Sequence, residues 1–533
     1  MESKKYQAFW RGAIILTIAS FVTKVLSAFY RIPYQNIAGD IGFYIYQQIY
    51  PFYGFCLILA TYGFPIIISK MVAERLERGK KQEAEEIICV SFWFLLGIGF
   101  IGFFTLFFGA EAIATAMGDI HLDKLLRVIS FSFILMPFLS VARGYFQGFN
   151  NMMPTAVSQV IEQTIRVSII VFLSLFLIAH EFDLYTVGAG AMLGSIAGGL
   201  IGIIVLILYM RHDFRSIFFK SVKRIKGKKK IIKILFWQGL AICVSNLVLI
   251  FIQMADSVSF YSLLIGAGEP AESAKVLKGV YDRSIPLMQL GTVVTTSFSL
   301  SLIPIITAAK ERGDLTFIRE KVRLAMKITF VIGFAAAIGL TCIIQPTNIM
   351  LFENSDGSDV LSILSLSILF SSLSITTASI LQGLGQTLKP AIFVVFGGCL
   401  KLVLNYILMP YFGAKGAAIA TLVALIVISV LNSMLLMRAV SESLIDKRNM
   451  LGIVISGFSM GFVLIMFMRV LQMSGLVMDT SHRGVATFEA LLGVAIGGLA
   501  YMFLILKLRV FTKAEIGMVM KKEKKEGSLK KSG

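Results

Sequence analysis

Charge is scarce in this chain. Only 15% of its 533 residues are charged, and 31 acidic side chains face 50 lysines and arginines. A soluble domain carries about 25% charged residues, so a water-exposed surface of ordinary composition is excluded. Histidines number four and cysteines five. Cys56, Cys89, Cys243, Cys342 and Cys399 stand singly in apolar runs without CxxC spacing. That excludes a disulfide framework or a cysteine metal site and reads as buried apolar filling. The chain has no G-x-x-x-x-G-K-[ST] loop, no HExxH and no Ser/His/Asp pattern, so P-loop ATP hydrolysis is excluded and an enzyme is not expected. No metal or cofactor is called for. Hydrophilic stretches between the apolar runs on the acidic side are too short to hold a catalytic domain.

What is present is hydrophobicity: 57% of the residues are apolar and the mean hydropathy is +0.82. The apolar runs last roughly 20 residues and lack the alternation of barrel strands, so they are membrane helices with internally satisfied backbones. The fold class expected is an all-α integral membrane protein of about fourteen transmembrane helices, the first at 10–30 and the last at 485–508. The net charge of +19 falls on alternate loops. Lys4, Lys5 and Arg11 precede the first span, Arg75, Arg78, Lys80 and Lys81 follow the second, and Lys228-Lys229-Lys230 lie after the sixth. The intervening loops are acidic, with Glu111, Asp119 and Asp123, then Glu353, Asp356 and Asp359. By the positive-inside rule both termini are cytoplasmic in a multi-pass protein of the cytoplasmic membrane. The basic stretches are then orientation signals that meet anionic lipid, not nucleic acid.

The chain also repeats itself after roughly 230 residues. Phe9-Trp10-Arg11-Gly12 returns as Phe236-Trp237-Gln238-Gly239, Glu77-Arg78-Gly79 as Glu311-Arg312-Gly313, and Gln147-Gly148 as Gln382-Gly383. Arg166 answers to Lys401. Six spans separate the copies, so both enter from the same side, giving two parallel six-helix lobes related by a pseudo-twofold along the membrane normal, plus two C-terminal helices. The expected division is an N-lobe at 1–210, a basic linker at 211–233, a C-lobe at 234–437, two further spans at 438–510 and a basic tail at 511–533. The segments 71–86 and 308–323 read as surface helices joining spans. Gly190, Gly194, Gly198 and Gly202 recur every fourth residue, a pattern that lets helix backbones approach closely. Pro51, Pro65, Pro137, Pro286 and Pro304 are expected to kink their spans.

Ions inside the spans carry the functional reading, because a Lys, Arg or Asp at mid-membrane costs roughly 2.5–3.5 kcal/mol and normally faces a partner or a watery cavity. Lys24 and Arg31 lie seven residues apart on one face of the first span, with Asp256 near the outer end of the seventh and Arg283 at the start of the eighth. The fifth span adds Gln159, Glu162, Gln163 and Arg166, and its repeat mate carries Lys401 and Asn405. Glu162 and Arg166, at i and i+4, also read as a self-neutralising ion pair, and Asp256 and Glu162 are the candidate coupling carboxylates. Arg143, Arg127 and Lys70, at span ends, read as anchors. Excess cations in a cavity imply an anionic substrate. A phosphate-bearing substrate with a lipid tail is a flippase substrate.

At these residues the chain resembles the multidrug/oligosaccharidyl-lipid/polysaccharide exporter superfamily, in its polysaccharide-transporter branch. Thr23-Lys24-Val25-Leu26, with Arg31 beyond it, resembles the first-span motif of lipid II flippases and SpoVB-like proteins, although Ser27 replaces the usual glycine. Tyr281-Asp282-Arg283 and Leu302-Ile303-Pro304 resemble landmarks of the eighth span. Arg143-Gly144-Tyr145-Phe146-Gln147-Gly148, then Met153-Pro154-Thr155-Ala156 and Glu162-Gln163, resembles the Gram-positive SpoVB-like group. The resemblance implies flipping of a polyprenyl-pyrophosphate-linked sugar, a cell-wall or polysaccharide precursor, by alternating access. Carried over, Lys24, Arg31 and Arg283 would hold the pyrophosphate, with Arg166 and Lys401 as further substrate-binding cations. Its partners would be the lipid-linked anionic sugar, membrane lipids and enzymes of envelope synthesis. Two other readings stand beside it: a drug/cation antiporter of the same superfamily, which needs a carboxylate-dominated cavity, and a non-transporting scaffold for envelope or spore peptidoglycan synthesis.

Overall fold

The computed structural model describes residues 2–211, 227–473, 482–512 and 515. Most of the basic linker and nearly all of the basic tail lie outside the described residues. The first half carries α1 (Glu2–Phe29), α2 (Arg31–Ile58), α3 (Phe64–Glu77), α4 (Lys81–Phe108), α5 (Ala110–Ala116), α6 (Asp123–Gly148), α7 (Met153–Ala179) and α8 (Leu184–Met210). The second carries α9 (Lys228–Ile234), α10 (Leu240–Asn246), α11 (Val248–Gly266), α12 (Ala271–Asp282), α13 (Ser284–Glu311), α14 (Leu315–Cys342), α15 (Ile344–Phe352), α16 (Ser358–Gly383) and α17 (Leu388–Val440). Two last helices follow, α18 (Lys447–Met473) and α19 (Arg483–Lys507). No strand occurs among the described residues.

Eleven helical stretches among the described residues are long and apolar enough to cross a membrane, against about fourteen separate spans expected. Two of them, Ile15–Glu77 and Leu388–Val440, run to 63 and 53 residues. At about 1.5 Å per residue each far exceeds a hydrocarbon core of about 30 Å. Each is broken by a glycine of positive φ, Gly39 at 68° and Gly413 at 53°, a conformation that costs glycine little. Beside the second break Tyr411 and Phe412 are exposed. The breaks therefore sit at glycines, while α2 and α6 pass through Pro51 and Pro137 with helical backbone and Pro286 lies in the first turn of α13. Ahead of Pro65 the helix widens into i→i+5 bonding over Leu59–Gly63, which accommodates the donor that proline lacks.

The duplication is visible in how corresponding helices end. After α3, Gly79 N–H donates to Leu76 O at 2.9 Å and Lys80 N–H to Arg75 O at 2.9 Å; after α13, Gly313 N–H donates to Lys310 O at 3.0 Å and Asp314 N–H to Ala309 O at 3.1 Å. Gly79 and Gly313 take φ of 71° and 70°. Both are the left-handed glycine stop that satisfies terminal carbonyls. They correct one expectation: 71–86 and 308–323 are not separate surface helices, because the spans run on to Glu77 and Glu311 and restart within a few residues. Gly148 and Gly383 match likewise, the first packed on Val72 and Ser69 O, the second on Ile306 and Ile303 O.

Two apolar cores organise the molecule. One gathers Tyr34, Phe43, Phe64, Ile68, Leu125 and Met136. The other gathers Ile252, Ile306, Ile318, Ile368 and Ile428 and extends to Leu464 and Tyr501 on the last two helices. Tyr501 hydroxyl donates to Val331 O at 2.9 Å, tying α19 to α14. Cys56, Cys89 and Cys243 are buried as expected of fillers, whereas Cys342 is half-buried and Cys399 exposed. Asp183 caps α8 by accepting from the N–H of Tyr185 and Thr186 at 3.0 and 3.1 Å. The Thr186 hydroxyl beside it holds its carboxyl below the usual range.

The glycine stripe on α8 positions the site. A Cβ on Gly198 would stand 2.7 Å from Glu162 O, and one on Gly194 3.0 Å from Arg166 O. Absence of side chains lets α8 lie directly on the polar segment of α7. Gly198→Ala should therefore displace α7 and lower the unfolding midpoint in detergent by an amount corresponding to about 1–3 kcal/mol. Gly97→Ala, where nothing lies within 4 Å, is the matched control and should leave it unchanged.

Candidate functional site

A cavity of about 220 Å³ lies between the two halves. From the first half it is walled by Thr23, Lys24 and Ser27 of α1, Tyr50 and Gly54 of α2, Thr61 and Tyr62 of the widened turn, and Gln159, Glu162, Gln163 and Arg166 of α7. From the second come Ser245, Asn246, Gln253, Gln289, Thr292 and Thr296. Most polar groups on this wall are hydroxyls and amides. The Lys24 ammonium lies 6.0 Å from the centre of the Tyr62 ring and has no ion pair among the described residues.

The other charges on the wall are held in ion pairs. Glu162 lies between two guanidinium groups, with Oε2 2.6 Å from Arg143 Nη2 and Oε1 2.6 Å from Arg166 Nη2. Arg143 also donates to Thr61 Oγ1 at 3.1 Å and Arg166 to Gln163 Oε1 at 2.6 Å. The triad carries one net positive charge and is buried. Arg143 corrects the sequence reading, which took it for an anchor at a span end: it is fully buried, because a carboxylate one helix away gives it an interior partner. The sequence carried no signal of this pairing, because Glu162 lies on the next span, 19 residues away.

Arg31 lies at the edge of this cavity, behind its lining. It is fully buried, stacked 4.3 Å from the centre of the Tyr50 ring, and joined by Nη1 to Ser27 O at 2.9 Å and Gln289 Oε1 at 2.5 Å. Its Nε and Nη2 have no hydrogen-bond partner. Arg283 shows the same donors filled. Its Nε and Nη2 hold both oxygens of Asp40 at 2.8–3.1 Å, and Nη1 reaches Asn354 Oδ1 at 2.6 Å. Arg283 and Lys401 do not reach the central cavity. Lys401 Nζ lies 2.8 Å from Asp256 Oδ1 and 2.8 Å from Ala417 O, with Thr421 also bonded, and Asn405 donates to Asp256 at 3.0 Å. A second cavity of about 30 Å³ lies against Asp256, Tyr281 and the buried pair Lys278–Asp282, and shares Leu249 and Gln253 with the first. Of the cations named from sequence, then, Lys24 and Arg166 meet at the cavity, Arg31 stands beside it, and Arg283 and Lys401 are each neutralised by an aspartate elsewhere.

Between the halves, polar contacts gather at the end of the bundle where α2 begins. Besides Arg283–Asp40, Asn36 donates to Leu351 O at 3.2 Å, Gln48 to Ser257 O at 3.1 Å and Lys275 to Tyr185 Oη at 2.7 Å. Asp119 joins Lys275 at 3.5 Å. At the opposite end the halves meet through Gly63 on Cys243 and Gly239 on Phe64. Sequence gave no warning of Asp40, Gln289 or Lys275, since each draws its meaning from a partner far along the chain.

Residues 9–310 match the family described as polysaccharide biosynthesis protein, and 279–407 match MatE. The chain belongs to the polysaccharide biosynthesis protein family. It is a lipid II flippase-like member of the multidrug/oligosaccharidyl-lipid/polysaccharide exporter superfamily. Similar family members include the uncharacterized membrane protein YabM of Bacillus subtilis, 41% identical over 96% of this chain and 94% of that protein. The lipid II flippase MurJ of the same organism is 26% identical over 92% of this chain and 94% of its own length. Among solved structures, a lipid II flippase MurJ in an inward closed conformation superposes with a TM-score of 0.67 at 16% identity, covering 93% of this chain and 99% of that one. That likeness gives the family's fold: an all-α membrane bundle.

Proposed function

We propose that the chain is a carrier, not an enzyme, that flips a polyprenyl-pyrophosphate-linked sugar across the cytoplasmic membrane by alternating access. The observation that carries this reading is the unpaired Lys24 ammonium in a cavity otherwise rich in hydroxyls and amides. Hydroxyl and amide walls suit a sugar, and a desolvated cation suits a phosphate. Arg31 adds unfilled donors at the edge. The kinship to a protein named as a lipid II flippase supports the same cargo class. Residues 1–210 and 234–437 act as the two moving lobes, and both termini lie in the cytoplasm, as the basic loops require. The cavity found beside α1 is then closed toward the outside by the Arg283–Asp40 contact, and Arg283 meets cargo only once that contact opens.

Reconstitution in liposomes with labelled polyprenyl-pyrophosphate sugars tests this. Translocation above empty vesicles is expected, and its absence across several such lipids refutes the reading. Loss of one charge-assisted hydrogen bond is worth about 1.5–3 kcal/mol, so Lys24→Gln should slow flipping about 10- to 100-fold while the protein unfolds at an unchanged temperature. A scaffold would tolerate that change. A cation antiporter needs a free carboxylate at the cavity, and the one carboxylate on its described wall, Glu162, is held by two arginines.

A further inference from the structure

Arg31 is a buried cation without a carboxylate. It makes no ion pair among the described residues, and of its three nitrogens only Nη1 is hydrogen-bonded. The oxygen it holds from the other half belongs to Gln289, a half-buried side chain on the cavity wall. At the level of the cavity this is a polar link between the start of α2 and α13. Arg283 shows what a guanidinium in this protein takes when an anion is at hand, since Asp40 fills its fork with both carboxylate oxygens. A neutral amide oxygen is a weaker acceptor than an anionic one.

We infer that Gln289 is a placeholder on Arg31, whose amide oxygen is exchanged for an anionic oxygen of the cargo. Exchange gives Arg31 a charged acceptor and releases the bond between the start of α2 and α13, so occupancy of the cavity is sensed at the seam between the halves. Gln289 is thus a positioning residue that competes with cargo. The inference rests on the anion site proposed above.

The two roles of an amide are separated by opposite signs of effect. Gln289→Glu converts the placeholder into an anion like Asp40 and should weaken binding about tenfold or more. Gln289→Leu leaves Nη1 short of a partner in the empty protein, a cost that binding then relieves, and should tighten it about fivefold or more. Binding of a short-chain polyprenyl diphosphate and of inorganic pyrophosphate to the full chain in nanodiscs measures both, with Lys24→Gln as reference and unfolding temperature as a folding control. Weakening by Glu with tightening by Leu supports the placeholder. If Lys24→Gln loses affinity but the two Gln289 variants weaken together, or neither moves, the placeholder is overturned and the anion site stands. If the unmodified chain binds neither diphosphate, both fall.

Discussion

Glu162→Gln is expected to destabilise the protein by about 3–5 kcal/mol, because it leaves two buried guanidinium groups without a counter-charge. Arg143 and Arg166 are 0% and 3% exposed at their side chains and both depend on this one carboxylate. The amide can accept from one of them, but its own N–H groups then face the donors of the other. Arg166→Met should be far milder, since it leaves Glu162 and Arg143 as a neutral pair. Thermal unfolding of the three proteins in the same detergent decides the matter. Equal midpoints for the parent and Glu162→Gln would show that water or lipid already compensates these arginines.

Asp40→Ala should open the end of the bundle where α2 begins. It strips a bidentate partner from Arg283, whose side chain is wholly buried, at a cost of about 3–5 kcal/mol to the closed arrangement. Opening lets that guanidinium reach water. A cysteine placed at Ser257, which is 1% exposed and accepts from Gln48, reports it in a background lacking the native cysteines. Its alkylation should accelerate about 100-fold in Asp40→Ala. The double variant Asp40→Ala/Arg283→Met carries no stranded charge and should recover most of the closed population, since replacing both partners is often nearly neutral. Parental labelling rates in both variants would refute a clamp between the halves.

The membrane helices were legible because long apolar runs have few alternatives, and the duplication because its glycine stops recur in the sequence as Glu-Arg-Gly. Lys24 was legible for a related reason: an ammonium deep in an apolar run has to be explained. The partners of the other cations were not. Asp40 is 243 residues from Arg283, and it follows Gly39, so it reads as an ordinary turn residue. Arg143 at a span end is indistinguishable by pattern from a snorkelling anchor until Glu162 is seen beside it. Lys401 was read as a substrate-binding cation and Asp256 as a coupling carboxylate, and the structure pairs them with each other. Hydropathy reports which residues enter the bilayer, while neutralisation depends on helix packing that periodicity does not encode.

The seam between the halves has unlike ends, and water treats them differently. Parting Arg283 from Asp40 hydrates two ions, a gain that offsets much of the lost attraction and that dissolved salt screens further. Parting Gly63 from Cys243 and Gly239 from Phe64 wets apolar surface, which salt does not favour and excluded osmolytes oppose. One mouth of the molecule is therefore governed by ionic strength and the other by the cohesion of the solvent, so the two half-cycles of any rocking motion need not share a rate or a temperature dependence.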